Sequence, residues 1–393
     1  MFTIEFLKKL RNSQIMNGFA GIDGYTPVDL VNQQLNKIHL DYSNPRLKFF
    51  FPAAGHGTYA IVVYWELMRG LSKLFIDNKE RSRHILENML YLNEINAWHC
   101  KQLQKQGFLN IDKGSFLNYE TNMKFDVVIG NPPYQENDDK GKSKGGGRNV
   151  IRGYGSFVKQ GLELLNKGGS LVYIIPQGWQ VSTNALWNLL TNDFSLDYID
   201  NNNDYYQKFF DGVGSTFCVI KASNKKYNNT TFVESFGNLN LKDIPTLPNT
   251  NDTELLRNIL NIFSKKGKKL NFKGDSNFHY QKKSTKENVS TLNNNVFIYP
   301  IKHTSSKTFY SRIPHPAQNI SKVIVSDSGY LSPFFDNGQY GVTQHSPYMI
   351  VDSEDEGNKI VDFLNSEEIK LLLQATKKSG FFNINVLNSL SYE

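Results

Sequence analysis

The stretch KFDVVIGNPPYQ, residues 124–135, decides how this chain folds. Its residues 125–129 form a short apolar run rich in β-branched side chains, which predicts a buried strand. Pro132 and Pro133 remove two backbone N–H donors and fix φ, so the strand has to end there. The residue before a proline is held extended, so Asn131 stands stiffly at the carboxyl end of the strand. In open α/β sheets, ligands bind at that end.

The residues after this strand suit one kind of chemistry, the handling of an amino group on an aromatic ring. Such an amine is a poor nucleophile because its lone pair is delocalised into the ring. The amide oxygen of Asn131 and the backbone carbonyl of Pro132 can both accept hydrogen bonds from it, which localises the lone pair without a strong base. Tyr134 can stack on a base swung out of its duplex. The alternative is an ordinary strand-ending turn, which the order of strand, Asn-Pro-Pro and aromatic residue disfavours.

With its Asn-Pro-Pro-Tyr tip, the chain resembles the S-adenosylmethionine (SAM)-dependent amino-methyltransferases, specifically the DNA adenine methyltransferases. The tetrapeptide alone leaves the substrate open, because related enzymes that methylate a glutamine side chain, or guanine in RNA, carry similar tips. The order of cofactor motif, catalytic tip and recognition region resembles the γ class of restriction-modification enzymes. The resemblance implies a Rossmann-like α/β sheet of seven strands in residues 1–235 and an α+β target-recognition domain in residues 236–393. Its catalytic residues would be Asn131, Pro132, Pro133 and Tyr134.

A glycine-rich turn, PAAGHG at residues 52–57, follows an apolar run and precedes a long apolar helical pattern. Such a turn lets a ligand approach the backbone and exposes the N–H groups of the helix that follows. It resembles the SAM-binding turn of the family, although Phe51 stands where the family usually has an acid that contacts the ammonium group of the cofactor. Glu94, at the tip of the next predicted strand, matches the acid that holds both ribose hydroxyls. A surface acid that ends a strand is the alternative.

Two further segments match cofactor positions of the family. Thr26 and Pro27 suit the N-cap and first position of a helix, and the family carries a similar aromatic-Thr-Pro that lines the methionine end of SAM. Ser115 and Phe116 stand where the family bonds and covers the adenine ring of SAM. The implied cofactor is SAM, held by Thr26, Pro27, Pro52, Ala53, Gly55, Gly57, Glu94, Ser115 and Phe116.

Composition sets the broad class. The chain has 393 residues, 39% of them hydrophobic and 13% aromatic, which is enough for two folded domains. Its two cysteines, Cys100 and Cys218, lack metal-ligand spacing, so we expect a reducing compartment, no disulfide framework and no metal. The sequence shows no apolar run of membrane-spanning length and no signal peptide. We therefore expect a cytoplasmic, nucleoid-associated protein with no membrane partner.

Charge points to a polyanionic partner. The net charge is +7, and residues 265–312 alone hold 11 Lys and Arg against two acids. Residues 136–148 combine Gly, Lys and Asp in a loop beside the catalytic tip, which can order on a phosphate backbone. The alternatives are a solvated face for residues 265–312 and a flexible surface loop for residues 136–148. The DNA-binding candidates are Lys140, Lys142, Lys144, Arg148, Lys265, Lys266, Lys268 and Lys269. Duplex DNA is the expected partner, and a separate restriction endonuclease is a further candidate.

The remaining segments give coarser expectations. Phe217 precedes an apolar strand and is either a second aromatic face for the flipped base or a plain core residue. Residues 224–252, rich in Asn, Thr and Lys, are interpreted as the joint between the domains. The DNGQ turn at residues 336–339 predicts a hairpin, and residues 354–364 and 366–377 predict amphipathic helices.

These observations together predict a site-specific enzyme that methylates the 6-amino group of adenine in duplex DNA after flipping the base. Two alternatives remain: an amino-methyltransferase that acts on protein glutamine or RNA, and a non-catalytic DNA-binding relative, which Phe51 favours.

Overall fold

The computed structural model of the chain consists of two compact units, Met1–Asp243 and Ile244–Glu393. The basic loop residues Lys140, Lys142, Lys144 and Arg148 lie outside the part that it describes. The described residues are 26–134, 151–202, 205–206, 208–209, 216–234, 236–250, 252–275, 277–279, 286–328, 331–378 and 382–393.

Helices and strands alternate through most of the first unit, as they do in α/β proteins. Its strands are β1 (Phe49–Phe51), β2 (Leu90–Glu94), β3 (Asn110–Lys113), β4 (Phe125–Gly130), β5 (Leu165–Pro176), β6 (Ser195–Asp200), β7 (Phe217–Ser223), β8 (Thr231–Val233) and β9 (Gly237–Leu239). Its α-helices are α1 (Val28–Leu35), α2 (Thr58–Gly70), α3 (Asn78–Asn88), α4 (Ala97–Lys105), α5 (Tyr154–Glu163) and α6 (Ala185–Asn188).

The nine strands form one mixed sheet in the order β3-β2-β1-β4-β5-β7-β6-β8-β9. In the run β3-β2-β1-β4-β5, each strand pairs in parallel with the next. Strand β7 is antiparallel to both β5 and β6. The first seven strands of this order give the Rossmann-like sheet that the sequence predicts. Strands β8 and β9 extend it beyond β6. Residues 231–233 and 237–239 therefore belong to the sheet, and the interpretation of residues 224–252 as a plain joint is wrong in these parts.

The centre of the sheet is buried on both faces, which is why its strands are apolar throughout rather than alternating. All three residues of β1 are phenylalanines with at most 2% of their surface exposed. In the parallel pair of β1 and β4, Phe49 lies opposite Val127 and Phe50 opposite Val128. The loops that follow these two strands therefore emerge side by side at one edge of the sheet.

An extra helix, α3, lies between α2 and β2. It is held to the end of α2 by Arg81, a side chain only 7% exposed. The guanidinium of Arg81 donates hydrogen bonds to the carbonyl oxygens of Met68, at 2.8 Å, and Phe75, at 2.6 Å. These bonds satisfy buried carbonyls near the end of a helix, which would otherwise lack partners.

Short strands and helices form the second unit. Its helices are α7 (Thr253–Ser264), α8 (Glu354–Asn365), α9 (Glu367–Thr376) and α10 (Ile384–Ser389). Its strands are β10 (Lys268–Lys269), β11 (Val289–Ser290), β12 (Tyr299–Lys302), β13 (Thr308–Ser311), β14 (Lys322–Ile324), β15 (Phe334–Asp336), β16 (Gly341–Val342), β17 (Tyr348–Ile350) and β18 (Ser391–Tyr392). The strands pair into three small sheets, with orders β10-β18, β11-β13-β12-β16 and β15-β14-β17. The predicted helices in residues 354–377 are confirmed as α8 and α9.

The turn after β15 does not form the hairpin that its sequence predicts. β15 pairs with β14, whereas β16 pairs with β12 in a different sheet. Asp336 closes the turn locally by accepting the N–H groups of Gln339, at 3.0 Å, and Tyr340, at 3.2 Å. The same carboxylate accepts the ammonium group of Lys322 on β14. This bond holds the end of β15 against β14, and the residues after the turn do not return to pair with β15.

Among the described residues, no helix has both the length and the apolar character that crossing a membrane requires.

The ion pair of Lys322 and Asp336 gives a test of this fold. The two residues are 0% and 4% exposed, so Lys322→Ala leaves a buried carboxylate without its cation. We expect the free energy of unfolding of the second unit to fall by about 3 kcal/mol. Hydrogen exchange of the β14 amides measures it. Lys370→Ala, in an exposed pair with Glu367, is the control and should cost less than about 1 kcal/mol. Equal losses would show that the buried pair has no special role.

Candidate active site

Asn131 directly follows β4 and is half-buried. Its amide is fixed from both ends, because Nδ2 donates to Oγ1 of Thr26 at 3.3 Å and Oδ1 accepts the hydroxyl of Tyr134 at 2.7 Å. Pro132 is buried and Pro133 is exposed. The sequence thus brings Thr26, Asn131 and Tyr134 together, although more than a hundred residues separate the first two.

Tyr134 lies against the core rather than in open solution. Its ring centroid is 5.3 Å from that of Phe217, and the two planes meet at 43°. Phe217 is 0% exposed, so it sits in the core and touches Tyr134 from within. Burial raises the pKa of the Tyr134 hydroxyl above its usual range, with the nearby Tyr59 adding to the shift. Like any tyrosine hydroxyl it is protonated at neutral pH, and the raised pKa keeps it a donor to Asn131 in more alkaline solution as well.

Thr26 does not cap the first helix. The N-cap of α1 is Pro27, which has no side-chain cap hydrogen bond, so the N-cap prediction for Thr26 is wrong. The Thr26 hydroxyl accepts from Asn131 instead. Because Thr26 is only 4% exposed, this tertiary hydrogen bond is worth more to it than a local one at a surface turn.

The turn after β1 brings its backbone up to the Asn131 tip. Ala53, Gly55 and Gly57 have positive φ values of 49°, 54° and 83°. A Cβ built on Gly130 would lie 3.4 Å from the carbonyl oxygen of Pro52, so the end of β4 and this turn are in direct contact. Open space lies in front of Gly55, since a Cβ built there would meet no atom within 4 Å. A ligand can therefore approach the backbone at this position.

Glu94 ends β2 beside the same turn. Its Oε2 accepts the N–H of Gly55 at 2.7 Å, and its Oε1 accepts the N–H of Asn96 at 2.8 Å. The residue is 5% exposed. These two bonds fix the carboxylate next to the open face of Gly55, and each oxygen keeps a further lone pair for an external hydroxyl donor. The residues present thus fit a nucleoside with a ribose diol.

Other residues predicted to touch the cofactor are more deeply placed. Phe116 is 2% exposed, and its ring lies 5.2 Å from that of Phe157 and 5.6 Å from that of Phe50. Ser115 immediately precedes it and is half-buried. Phe51 is 2% exposed and stacks on Phe49 at 6.3 Å, so it contributes to the core where the family usually has an acid.

The lysines predicted to bind DNA near residue 265 largely have partners within the second unit. Lys265 pairs with Glu368 at 3.1 Å, and Lys268 pairs with Glu356. Lys269 donates to the carbonyl oxygen of Ser389 at 2.6 Å. Lys266 is exposed. Part of the charge in this cluster is therefore compensated locally.

An aromatic group that the sequence analysis missed surrounds the Glu94 carboxylate. Nδ1 of His99 lies 3.6 Å from Oε1 of Glu94, and the His99 ring is 4.5 Å from that of His56. Trp98, next to them, is 55% exposed. Trp98, four residues after Glu94, could have indicated this group from the sequence, because aromatic side chains commonly line ligand sites.

Comparisons with known proteins find similarity to restriction-modification methylases. Residues 46–210 match the family model of the Eco57I restriction-modification methylases. An uncharacterized adenine-specific methylase of Mycoplasma pneumoniae is 22% identical, over 44% of this chain and 59% of its own length. The Type II methyltransferase M.TthHB8I of Thermus thermophilus is 29% identical, over 21% of this chain and 20% of its own length.

Solved structures extend the likeness of the fold to most of the chain. The ATP-dependent Type ISP restriction-modification enzyme LlaBIII, bound to DNA, superposes with a TM-score of 0.55 at 11% identity, covering 98% of this chain and 38% of its own. A nuclease-deletion mutant of the Type ISP enzyme LlaGI, in complex with a DNA substrate mimic, gives 0.55 at 12% identity, over 92% and 44%. This chain thus spans less than two thirds of each of these four proteins.

Residues 46–210 are thus similar to the restriction-modification methylases, and the predicted Rossmann-like α/β fold is confirmed.

Two glycines of the turn give a test of the site geometry. Both have left-handed φ, so alanine at either position costs about 1 kcal/mol of unfolding free energy. At Gly57 a Cβ would also lie 2.6 Å from Cδ2 of Leu103, which adds about 1–3 kcal/mol. Hydrogen exchange of the β1 amides should therefore show Gly57→Ala to be clearly less stable than Gly55→Ala. Equal losses would contradict the close packing at Gly57.

Proposed function

We propose that the protein transfers a methyl group from SAM to the exocyclic 6-amino group of adenine in duplex DNA, with the target base flipped out of the helix. The observation that carries the proposal is the hydrogen bond from Tyr134 to Oδ1 of Asn131, at 2.7 Å. It shows that the amide oxygen at the tip of β4 is oriented to accept a donor. On this proposal, an amino group of the substrate would replace the hydroxyl as the donor to Oδ1.

The turn after β1 and Glu94 would hold the cofactor. The backbone at Gly55 is open to a ligand, and the Glu94 carboxylate is fixed to accept the two ribose hydroxyls. When bound, SAM supplies an activated methyl group on a sulfonium. Because β1 and β4 are parallel neighbours, a cofactor in the turn and an amine at Asn131 meet at one sheet edge.

Asn131 would act through its acceptor atoms. Its Oδ1 and the Pro132 carbonyl would accept hydrogen bonds from the two N–H groups of the amine. These bonds would pull the nitrogen towards tetrahedral geometry and expose its lone pair. The nitrogen–methyl bond forms as the sulfur–methyl bond breaks, and the surplus proton leaves to water. Thr26 keeps the amide from rotating, since it accepts from Nδ2. The hydrogen bond from the Tyr134 hydroxyl to Oδ1 would break, and the Tyr134 ring would stack on the base.

The match to restriction-modification methylases and the adenine-specific methylase of Mycoplasma pneumoniae support adenine as the target base. LlaBIII and LlaGI were captured with DNA or a DNA mimic, which supports duplex DNA as the substrate. On this proposal the second unit recognises the DNA sequence. A restriction endonuclease, acting as a separate protein, would be the functional partner.

One observation favours a second candidate, a DNA-binding relative without catalytic activity. Phe51 is buried at the position where the family carries the acid that contacts the cofactor ammonium. Calorimetric titration with SAM separates the two functions, because a non-catalytic relative of this kind should release no heat.

Transfer of tritium from labelled SAM tests the proposed function. We expect label in phage DNA grown in a methylation-deficient host, and none in transfer RNA or in a glutamine-containing peptide. Label in RNA or peptide alone would overturn the DNA assignment.

Asn131→Ala should lower the rate of methyl transfer by about a thousandfold or more, because the oriented acceptor is lost. SAM binding should persist, since the turn after β1 is unchanged. Asn238→Ala, at an exposed asparagine of β9, is the matched control and should keep full activity. Substantial turnover by Asn131→Ala would contradict the role assigned to this side chain.

A further inference from the structure

An exposed apolar tip stands at one end of the four-stranded sheet of the second unit. The wedge loop, residues 291–298, joins β11 to β12. It presents Leu292, Val296 and Ile298, which are 71%, 49% and 52% exposed. Ile313, just after β13, is 48% exposed. Apolar side chains that cluster in solvent at one place mark a contact surface.

The wedge loop is folded, because Asn294 closes it. Its Oδ1 accepts the N–H groups of Val296, at 2.9 Å, and Phe297, at 3.0 Å. Its own N–H donates to the carbonyl oxygen of Phe297 at 3.3 Å. Below this turn, the N–H of Leu292 donates to Oγ of Ser290 at 3.0 Å. The apolar side chains are thus held on a defined turn, so little ordering entropy is lost when a partner binds them.

Pairing within the sheet brings a cation to the same end. β11 and β12 both flank β13, and Val289 and Tyr299 both lie opposite Ser311. The residues after Ser311 therefore emerge beside the wedge loop. The guanidinium of the exposed Arg312 lies 5.6 Å from the ring centroid of Phe297. A planar cation next to an apolar tip is suited to a phosphate that flanks an apolar contact.

Size and charge decide what fits this tip. A stable protein partner buries about 800 Å² on each side, far more than a few side chains on one turn provide. Insertion between base pairs needs only one or two apolar side chains, and such wedges unstack and kink the duplex. The charge agrees, because the exposed Arg312 lies beside Phe297 and the loop itself, residues 291–298, carries no acid.

We propose that the wedge loop inserts Leu292 and Val296 between adjacent base pairs of duplex DNA, with Arg312 on a neighbouring phosphate. The inference rests on the proposed function in that it takes duplex DNA as the substrate. Insertion unstacks one base step and kinks the duplex at that step. The second unit would thereby select DNA by how easily a base step deforms, as well as by direct contacts.

Filter binding of the whole protein to unmethylated phage DNA, over a range of salt concentrations, tests the proposal. The double variant Leu292→Ser, Val296→Ser should bind about tenfold more weakly at every salt concentration, because apolar contacts are lost and phosphate contacts are kept. Arg312→Ala should instead lower, by about one, the magnitude of the slope of the logarithm of the binding constant against the logarithm of the salt concentration, because one phosphate contact is lost. Leu371→Ser removes a comparably exposed leucine, 52% exposed on α9, and should bind like the wild type.

A fluorescent probe reports insertion directly. In Leu292→Trp, the new indole should stack on bases, and DNA should quench its emission. DNA should leave the added emission of Leu371→Trp unchanged.

Salt-dependent binding by the wild type, together with unchanged binding by the serine double variant and no quenching, would overturn the wedge and leave the proposed function standing. Absence of any DNA binding by the wild type would overturn both. Loss of self-association by the serine double variant, in sedimentation runs without DNA and with DNA binding intact, would instead identify the tip as an interface between copies of the chain.

Discussion

The parallel register of β1 against β4 is the constraint on which the rest of the first unit depends. It brings the glycine turn after β1 and the Asn-Pro-Pro tip after β4 to the same edge of the sheet. The pairing is secured by burial, because both strands are apolar on both faces. A slip of one residue would displace one loop relative to the other by about 3.3 Å along the strands. The proximity of the glycine turn and the Asn-Pro-Pro tip is therefore a consequence of core packing.

Within that frame, the site is preorganised by a chain of polar contacts. Thr26 receives Asn131 Nδ2, and Tyr134 donates to Asn131 Oδ1, so the amide cannot rotate and exchange its oxygen for its nitrogen. On the proposed function, the amine would replace the Tyr134 hydroxyl at Oδ1, while the bond from Nδ2 to Thr26 would keep the amide oriented. Glu94 is fixed in the same manner by the N–H groups of Gly55 and Asn96.

Local patterns were sufficient to predict the central strands, the glycine turn and the tip at Asn131. Buried strands read as apolar runs, and prolines end them wherever they occur. The failures arose where distant residues outcompete a local preference. Thr26 has the chemistry of an N-cap but bonds Asn131, and the turn at Asp336 is tied to Lys322 instead of forming a hairpin. Residues 231–233 and 237–239 add strands that are too short to show periodicity.

Long-read sequencing of DNA from cells that express the protein tests the central claim most directly, since it reports the modified base and its context together. If Asn131 orients a flipped adenine beside SAM, the wild type will place 6-methyladenine in one fixed sequence context, and cells that express Asn131→Ala will lack it. Unmodified adenines in the wild-type cells, or the same methylation pattern with Asn131→Ala, would contradict the account.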